Sequence, residues 1–342
     1  MTIELRSDNA ASVSPSILEA MAAANSGSAL AYGGDEVTAR LEEHVREVFE
    51  HPTARVFPVL SGTAANALSL SALTPPWGAV VCHESAHILT SEGGATSLLS
   101  AGAVMTGVAG EGYKVAAPAL RTHLDGVRWG DPHHSQPSVL SLTSPSDHGT
   151  VYSAAEISEL AAIARERGLR VHLDGARFAN AVVATGSAPA DLTWRAGVDV
   201  LSLGATKNGA LSAEAIVCFT DGPADELVYR TKRSGHVTSK MRYQSAQLIA
   251  YLTDDLWLRN ARNANERMGE LAAGLESLGI ELVARPAVNM VFVRLDPLLA
   301  DALEAAGVLF YRLDGLARFV TSWQTSADDI ATALAAVRSA LG

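Results

Sequence analysis

Cysteine is scarce in this sequence, with two among 342 residues. Cys82 and Cys218 both lie in apolar, strand-like runs. That is the setting of inert buried thiols, and two cysteines build no disulfide framework. Charge is sparse as well: 18% of the residues are charged and the net charge is −11. The densest basic stretch, Arg230–Arg242, is short and sits inside a globular pattern, so no nucleic-acid or membrane partner is expected. No apolar run is long enough to span a bilayer. The opening M-T-I-E-L-R-S-D-N is charged and lacks the apolar region of a secretory signal, which makes the cytoplasm the expected location. There is no internal repeat and no low-complexity tract. No G-x-G-x-x-G opens the first helix, which speaks against a nucleotide-binding domain. No metal site is read.

What is present is an apolar content of 48%, enough for a sizeable core and about two domains. Residues 1–15 read as an arm with turn formers at Ser7-Asp8-Asn9 and Pro15. Ile17–Ala24 is helix-like, Asn25–Asp35 is a Gly-rich loop carrying Tyr32-Gly33-Gly34, and Val37, Leu41, Val45 and Val48 share one helical face. Strands and helices then alternate. Arg55–Leu60, Ala79–Cys82, Ala103–Val108, Val139–Thr143, Val171–Asp174, Val198–Leu203 and Ala215–Phe219 read as strands. Thr63–Leu73 and a helix opened by the capping box Ser153/Glu156 fall between them. This predicts an α/β fold: a mainly parallel sheet covered on both faces, with ligands outside the C-terminal strand ends. From Tyr243 the pattern changes. Tyr243–Gly279 is nearly all helix former, as two helices or one kinked helix. Strand-like Met290–Leu295, Val308–Leu313 and Leu316–Trp323 follow, then a last helix, Asp328–Leu341, capped by Ser326. The expected division is an arm over 1–15, a large domain over 16–243 and a smaller α+β domain over 244–342.

Three strand ends carry the chemistry. The strand Val198–Leu203 empties through Gly204 into a small-residue turn holding Lys207. A lysine there is costly to bury unless it is paired or chemically modified. Arg170–Asn180, R-V-H-L-D-G-A-R-F-A-N, is a second short strand ending in Asp174, with Arg177 just beyond. Val56–Leu73 reads as strand, Ser61-Gly62-Thr63, then an alanine-rich helix. Taken singly, Lys207 is a surface lysine, Asp174 a helix cap, Arg177 a surface ion pair and S-G-T an ordinary N-cap. Taken together they suit pyridoxal 5'-phosphate (PLP). A lysine holds the aldehyde as a Schiff base, a carboxylate keeps the pyridine nitrogen protonated, and a helix N-terminus with hydroxyl donors takes the phosphate.

With these motifs in order, the chain resembles the threonine aldolases, fold-type I PLP enzymes. The resemblance runs nearly end to end. It is carried by S-D-N at Ser7, Y-G-G-D-E-V-T from Tyr32, S-G-T-A-A-N from Ser61, H-E-S-A-H-I from His83 and H-L-D-G-A-R-F-A-N from His172. It continues in L-G-A-T-K-N-G-A from Leu203, K-R-S-G-H-V-T-S-K-M-R from Lys232, D-D-L-W-L-R-N-A-R from Asp254 and R-F-V-T-S-W from Arg318. T-K-N-G is similar to the low-specificity L-threonine and phenylserine aldolase branch. The resemblance implies a seven-stranded sheet in the large domain and a cytoplasmic homotetramer, a dimer of dimers with sites at the dimer interface. It implies Lys207 as the Schiff-base lysine and Asp174 as the pyridine partner. Ser61, Gly62 and Thr63 would hold the phosphate, helped by Arg242 with Lys232 or Lys240 from a neighbouring subunit. Ser7, Arg177 and Arg318 would hold the substrate carboxylate, Tyr32 would complete the site in trans, and His87 would stack on the cofactor ring. His133 matches the family's second active-site histidine, with His134 beside it as a substitute.

The activity so implied is retro-aldol cleavage of L-threonine, L-allo-threonine, phenylserine or a related L-β-hydroxy-α-amino acid to glycine and an aldehyde. The base is His87, His133 or a water between them. β-Elimination, transaldolase and racemase chemistry are the alternatives. Two departures from the branch stand out: Ser146-Asp147-His148 where a T-E pair is usual, and Gly94-Ala95-Thr96-Ser97 in place of Gly-Ala-Pro-Glu. The first bears on the pocket for the β-substituent.

Overall fold

In the computed structural model, which describes residues 2–313 and 315–341, seven strands form the central sheet. They are β1 (Arg55–Val59), β2 (Gly78–His83), β3 (Val104–Val108), β4 (Gln136–Thr143), β5 (Arg170–Gly175), β6 (Val200–Leu203) and β7 (Glu214–Cys218). The order across the sheet is β1-β7-β6-β5-β4-β2-β3. Only β7 runs against the rest, pairing antiparallel with β1 and with β6. The other neighbours are parallel, so their C-terminal ends share one edge. Continuous apolar runs such as Val80-Val81-Cys82 form these strands because both faces are covered, leaving no polar face to alternate with. Burial also pushes both thiols, Cys82 and Cys218, up to about 12, so neither is a nucleophile at neutral pH.

One face packs on Ala64, Leu68 and Leu70 of the helix Gly62–Leu73; the other packs on Leu160, Ile163 and Phe178. A second core joins Met268, Leu271 and Leu275 to Val291, Val293, Phe319 and Val337. It backs a four-stranded antiparallel sheet built from Glu281–Leu282, Met290–Arg294, Tyr311–Leu313 and Leu316–Val320.

The helix-forming stretch is two helices, α1 (Arg242–Leu252) and α2 (Leu256–Ser277), joined through a turn with positive φ at Asp254 and Asp255. Leu248, Tyr251, Trp257 and Ala261 belong to the large core, and the change from one core to the other falls inside α2. Composition changed at Tyr243, but packing partners did not. The arm is tied to the second core: Ile3–Glu4 pair in parallel with Val308–Leu309, and Ile3 and Leu5 are buried in it.

Candidate active site

The strands β5 and β6 bring Asp174 and the Lys207 turn together because two glycines permit it. Gly204 N–H donates to the Gly175 carbonyl at 3.0 Å. A Cβ on Gly175 would lie 2.8 Å from Leu201 Cδ1 and 2.9 Å from the Ser202 carbonyl oxygen. Lys207 follows in the turn Thr206–Asn208, which its neighbours hold from three sides. Glu214 Oε2 accepts the Ala205 N–H at 2.7 Å. Asn208 Nδ2 donates to Tyr251 Oη at 3.0 Å and to the Trp257 carbonyl at 2.8 Å, and Tyr251 Oη donates to the Gly204 carbonyl at 3.1 Å. Burial raises the Glu214 carboxyl above the usual range.

Lys207 opens into a cleft of ≈ 250 Å³ at this edge, shared with Asp174, Arg177, His87 and Glu92. One end of the cleft is Ser61-Gly62-Thr63. Ser61 caps the helix Gly62–Leu73, its Oγ accepting the Ala64 N–H at 3.3 Å while its carbonyl takes Ala65 N–H. The Gly62 and Thr63 N–H groups are the two remaining donors of that helix end, an anion-binding arrangement. A Cβ on Gly62 would meet nothing within 4 Å, so the space before the helix is open.

The other end holds a polar chain. Asp174 is buried; its Oδ1 accepts the Ala176 N–H at 3.1 Å and its Oδ2 accepts from Asn66 Nδ2 at 3.0 Å. His87 Nδ1 lies 2.9 Å from Glu92 Oε1. That hydrogen bond to Glu92 raises the imidazole above its ordinary range, against the opposing effect of burial. Three polar atoms of cleft-lining residues are buried without a partner among the described residues: Asn66 Oδ1, Glu92 Oε2 and Thr143 Oγ1. Orphaned groups of this kind are costly unless a ligand meets them. An amine, an acid, an anion cradle and unmet polar groups around one cleft fit a PLP-sized polar cofactor.

The arginines are set by the N-terminal arm. Arg177 Nε and Nη2 donate to Asp8 at 2.6 and 3.0 Å, and Asn289 Nδ2 donates to the same carboxylate at 3.0 Å. Burial opposes ionisation of Asp8, but the Arg177 guanidinium outweighs it and holds the carboxyl below its usual range. Arg318 Nη2 donates to the Arg6 carbonyl at 3.2 Å. Burial, with Arg177 nearby, lowers the Arg318 guanidinium. His148 stacks on Tyr113 with ring centroids 3.4 Å apart, and on Phe292 at 4.9 Å. Burial lowers its imidazole.

Of the residues singled out in the sequence, Lys207, Asp174, Ser61, Gly62, Thr63, His87 and Arg177 line this cleft. Ser7 does not: its Oγ caps Asn9 N–H at 3.2 Å, and Asn9 is the arm residue that reaches the cleft. Arg318 stands behind Arg177 and Asp147 by charge, outside the lining. His133 does not line the cleft within this chain: it is exposed, just before the start of β4, whereas the cleft takes Thr143 from that strand's other end. At about 3.3 Å per residue the strand between them spans roughly 23 Å. His134 shares that position. Tyr32, Lys232, Lys240 and Arg242 also lie apart from the cleft. The Lys232 ammonium sits 4.4 Å from the Tyr32 ring centroid, and Arg242 lines a separate groove of ≈ 730 Å³. Asn66, Glu92, Asp8 and Glu214 were missed. Asn66 carried a signal: it is one turn after Gly62 on an alanine-rich helix, so it shares the face of the anion cradle.

The family model for β-eliminating lyases matches residues 4–297. A low-specificity L-threonine aldolase of Pseudomonas aeruginosa is 38% identical, over 100% of this chain and 99% of that one. A Leishmania major threonine aldolase structure has a TM-score of 0.92 at 26% identity, covering 98% of this chain and 99% of its own. A structure of SPT with PLP shares the fold, with a TM-score of 0.72 at 18% identity over 99% and 87% of the two chains. On sequence across its whole length and on fold, the chain belongs to the β-eliminating lyase family, alongside the low-specificity L-threonine aldolases.

Proposed function

We propose that this protein is a PLP-dependent aldehyde-lyase that cleaves L-threonine, L-allo-threonine and related L-β-hydroxy-α-amino acids, phenylserine among them, to glycine and an aldehyde. The carrying observation is that Lys207, Asp174 and the His87–Glu92 pair converge on one cleft in a chain 38% identical to a low-specificity L-threonine aldolase over its full length. Lys207 would hold the cofactor aldehyde, Asp174 would face the pyridine nitrogen, and Ser61, Gly62 and Thr63 would take the phosphate. When bound, PLP supplies the electron sink for the pair released from the Cα–Cβ bond. Arg177, with Arg318 behind it, fixes the substrate carboxylate and so the orientation of the amino acid. His87, directly or through one water, takes the β-hydroxyl proton as the Cα–Cβ bond breaks and the Cβ oxygen becomes the aldehyde carbonyl. A proton delivered to Cα completes glycine.

Tyr32, Lys232 and Arg242 lie near an open groove bordered by Ala24, Leu30 and Ile249, with Leu30 75% exposed. We read this face as the contact with a second copy, which would bring Arg242 and Lys232 or Lys240 to the partner's phosphate, within a homotetramer. No helix among the described residues is long and apolar enough to cross a membrane. A cytoplasmic location is part of the same proposal and rests on the charged, signal-free opening of the sequence.

The test is product analysis. The protein is purified with PLP, its visible band recorded, and each β-hydroxy amino acid added separately. Glycine with the matching aldehyde is expected. Pyruvate and ammonia instead would favour β-elimination, the second reading, which the family description itself motivates.

A further inference from the structure

Asn66 is the midpoint of a chain of hydrogen bonds that no single motif contains. Its Nδ2 donates to Glu92 Oε1 at 2.8 Å and to Asp174 Oδ2 at 3.0 Å. The same Glu92 oxygen lies 2.9 Å from His87 Nδ1. Asp174 comes from the end of β5, Asn66 from the helix Gly62–Leu73, and His87 opens a short helix that Glu92 closely follows. Asn66 and Asp174 are each 2% exposed, and Glu92 is 7% exposed. Two carboxylates thus share one amide nitrogen in a site nearly closed to water. Their bonded oxygens are within about 6 Å, close enough for the like charges to repel, and the shared amide nitrogen bridges them.

The amide cannot be turned over without harm. Reversed, Asn66 Oδ1 would face two carboxylate oxygens. In the observed orientation Oδ1 is buried with no partner, as is Glu92 Oε2. The site therefore gives up one acceptor to keep both N–H bonds of Nδ2 aimed at carboxylates, and Asn66 and His87 are the hydrogen-bond partners of Glu92 among the described residues.

We infer that Asn66 is a positioning residue that holds the Glu92 carboxylate against His87 Nδ1 and so supports His87 as a base. The charged groups that bear on the imidazole from the surrounding elements are Glu92, Asp147 on the loop after β4, and Asp174 at the end of β5. Among the described residues only Glu92 is hydrogen-bonded to it. Without the Asn66 donor, Glu92 loses the contact that fixes it toward the ring, whereas Asp174 keeps the Ala176 N–H. His87 then loses an anionic partner and becomes a weaker base. The functional consequence rests on His87 being the base of the proposed cleavage; the electrostatic coupling does not.

The coupling is measured by NMR titration of the holoenzyme with labelled histidine rings, the His87 signal being assigned by its loss in His87→Gln. Asn66→Leu and Glu92→Gln are each expected to lower the His87 pKa by about one unit, the scale of an opposite charge within 4–6 Å. The double variant is expected to fall no further than Glu92→Gln alone, because Asn66 acts through Glu92. Should Asn66→Leu fail to fold, Asn66→Ser, whose hydroxyl can donate to only one carboxylate, is expected to give a smaller fall of the same sign. An unchanged or raised His87 pKa in the folded Asn66 variant overturns the inference, and so do additive falls in the double variant. Absence of aldehyde from the wild-type enzyme would reject the cleavage reading and leave the titration result standing.

Discussion

Gly204 and Ala176 touch backbone to backbone: a Cβ built on Gly204 would lie 2.1 Å from the Ala176 carbonyl oxygen. This contact locks the turn after β6 onto the turn after β5, and so sets Lys207 beside Asp174. Residue 204 can only be glycine there. Gly204→Ala is expected to lose ~3 kcal/mol or more of stability, at the severe end for overpacking, since the obstacle is backbone and cannot rotate away. Urea denaturation checks it; a loss below ~1 kcal/mol would mean that the two turns can slide apart.

Lys207→Ala should remove the visible band of lysine-bound PLP and reduce turnover to background. Fluorescence titration of PLP should still detect weaker binding, through Asp174 and the cradle at Ser61-Gly62-Thr63. A normal band with normal turnover would move the lysine role elsewhere.

Asp8→Asn should raise KM for the amino acid more than it lowers kcat, because Arg177 loses the fork that orients it. It should also destabilise the fold by about 3 kcal/mol near neutral pH, since it leaves Arg177 buried beside a neutral amide. The Asp8 pKa is lowered in the folded state, so its stabilisation is present above the unfolded value of 3.8 and is lost as pH falls through the folded value. Denaturation of wild type and variant should therefore converge in strong acid. A constant difference down to about pH 2 would contradict this.

The His87 pKa is raised by Glu92 from 6.5. The acid limb of kcat/KM is thus expected above pH 6.5, and Glu92→Gln should move it down. Folding linkage has the same origin. The stabilisation from His87 is complete below pH 6.5 and disappears as pH rises through the folded value. His87→Gln should cost more stability at about pH 5.5 than at about pH 9; the reverse order would break the link to Glu92.

Much of the fold was legible because its signals are local. All seven strands of the large sheet appear with ends within three residues of their apolar runs, since strands in the middle of the sheet are buried on both faces and need continuous Val, Leu and Ile. Lys207, Asp174 and Gly62 were legible because each follows a strand that must end at the ligand-binding edge. The limits of the domains were less so. α1 and the first half of α2 look the same in sequence whichever core they enter, and only the packing of their Tyr251 and Trp257 assigns them to the large one. The histidines divided in the same way. His87 follows β2 at the correct edge, whereas His133 stands in a similar loop context before β4, and strand direction puts it at the opposite edge.

The sequence by itself determined the alternation of strands and helices, the glycines where backbones must meet, and the amine, acid and anion cradle of the cleft. Those features depend on neighbours a few residues away. Tertiary structure alone decided which polar groups face one another: Asp8 with Arg177, 169 residues apart, and Asp174 with Asn66, 108 residues apart. Pairing across such distances depends on how buried elements cross, and a carboxylate reads the same in sequence whether its partner is water, a guanidinium or an amide.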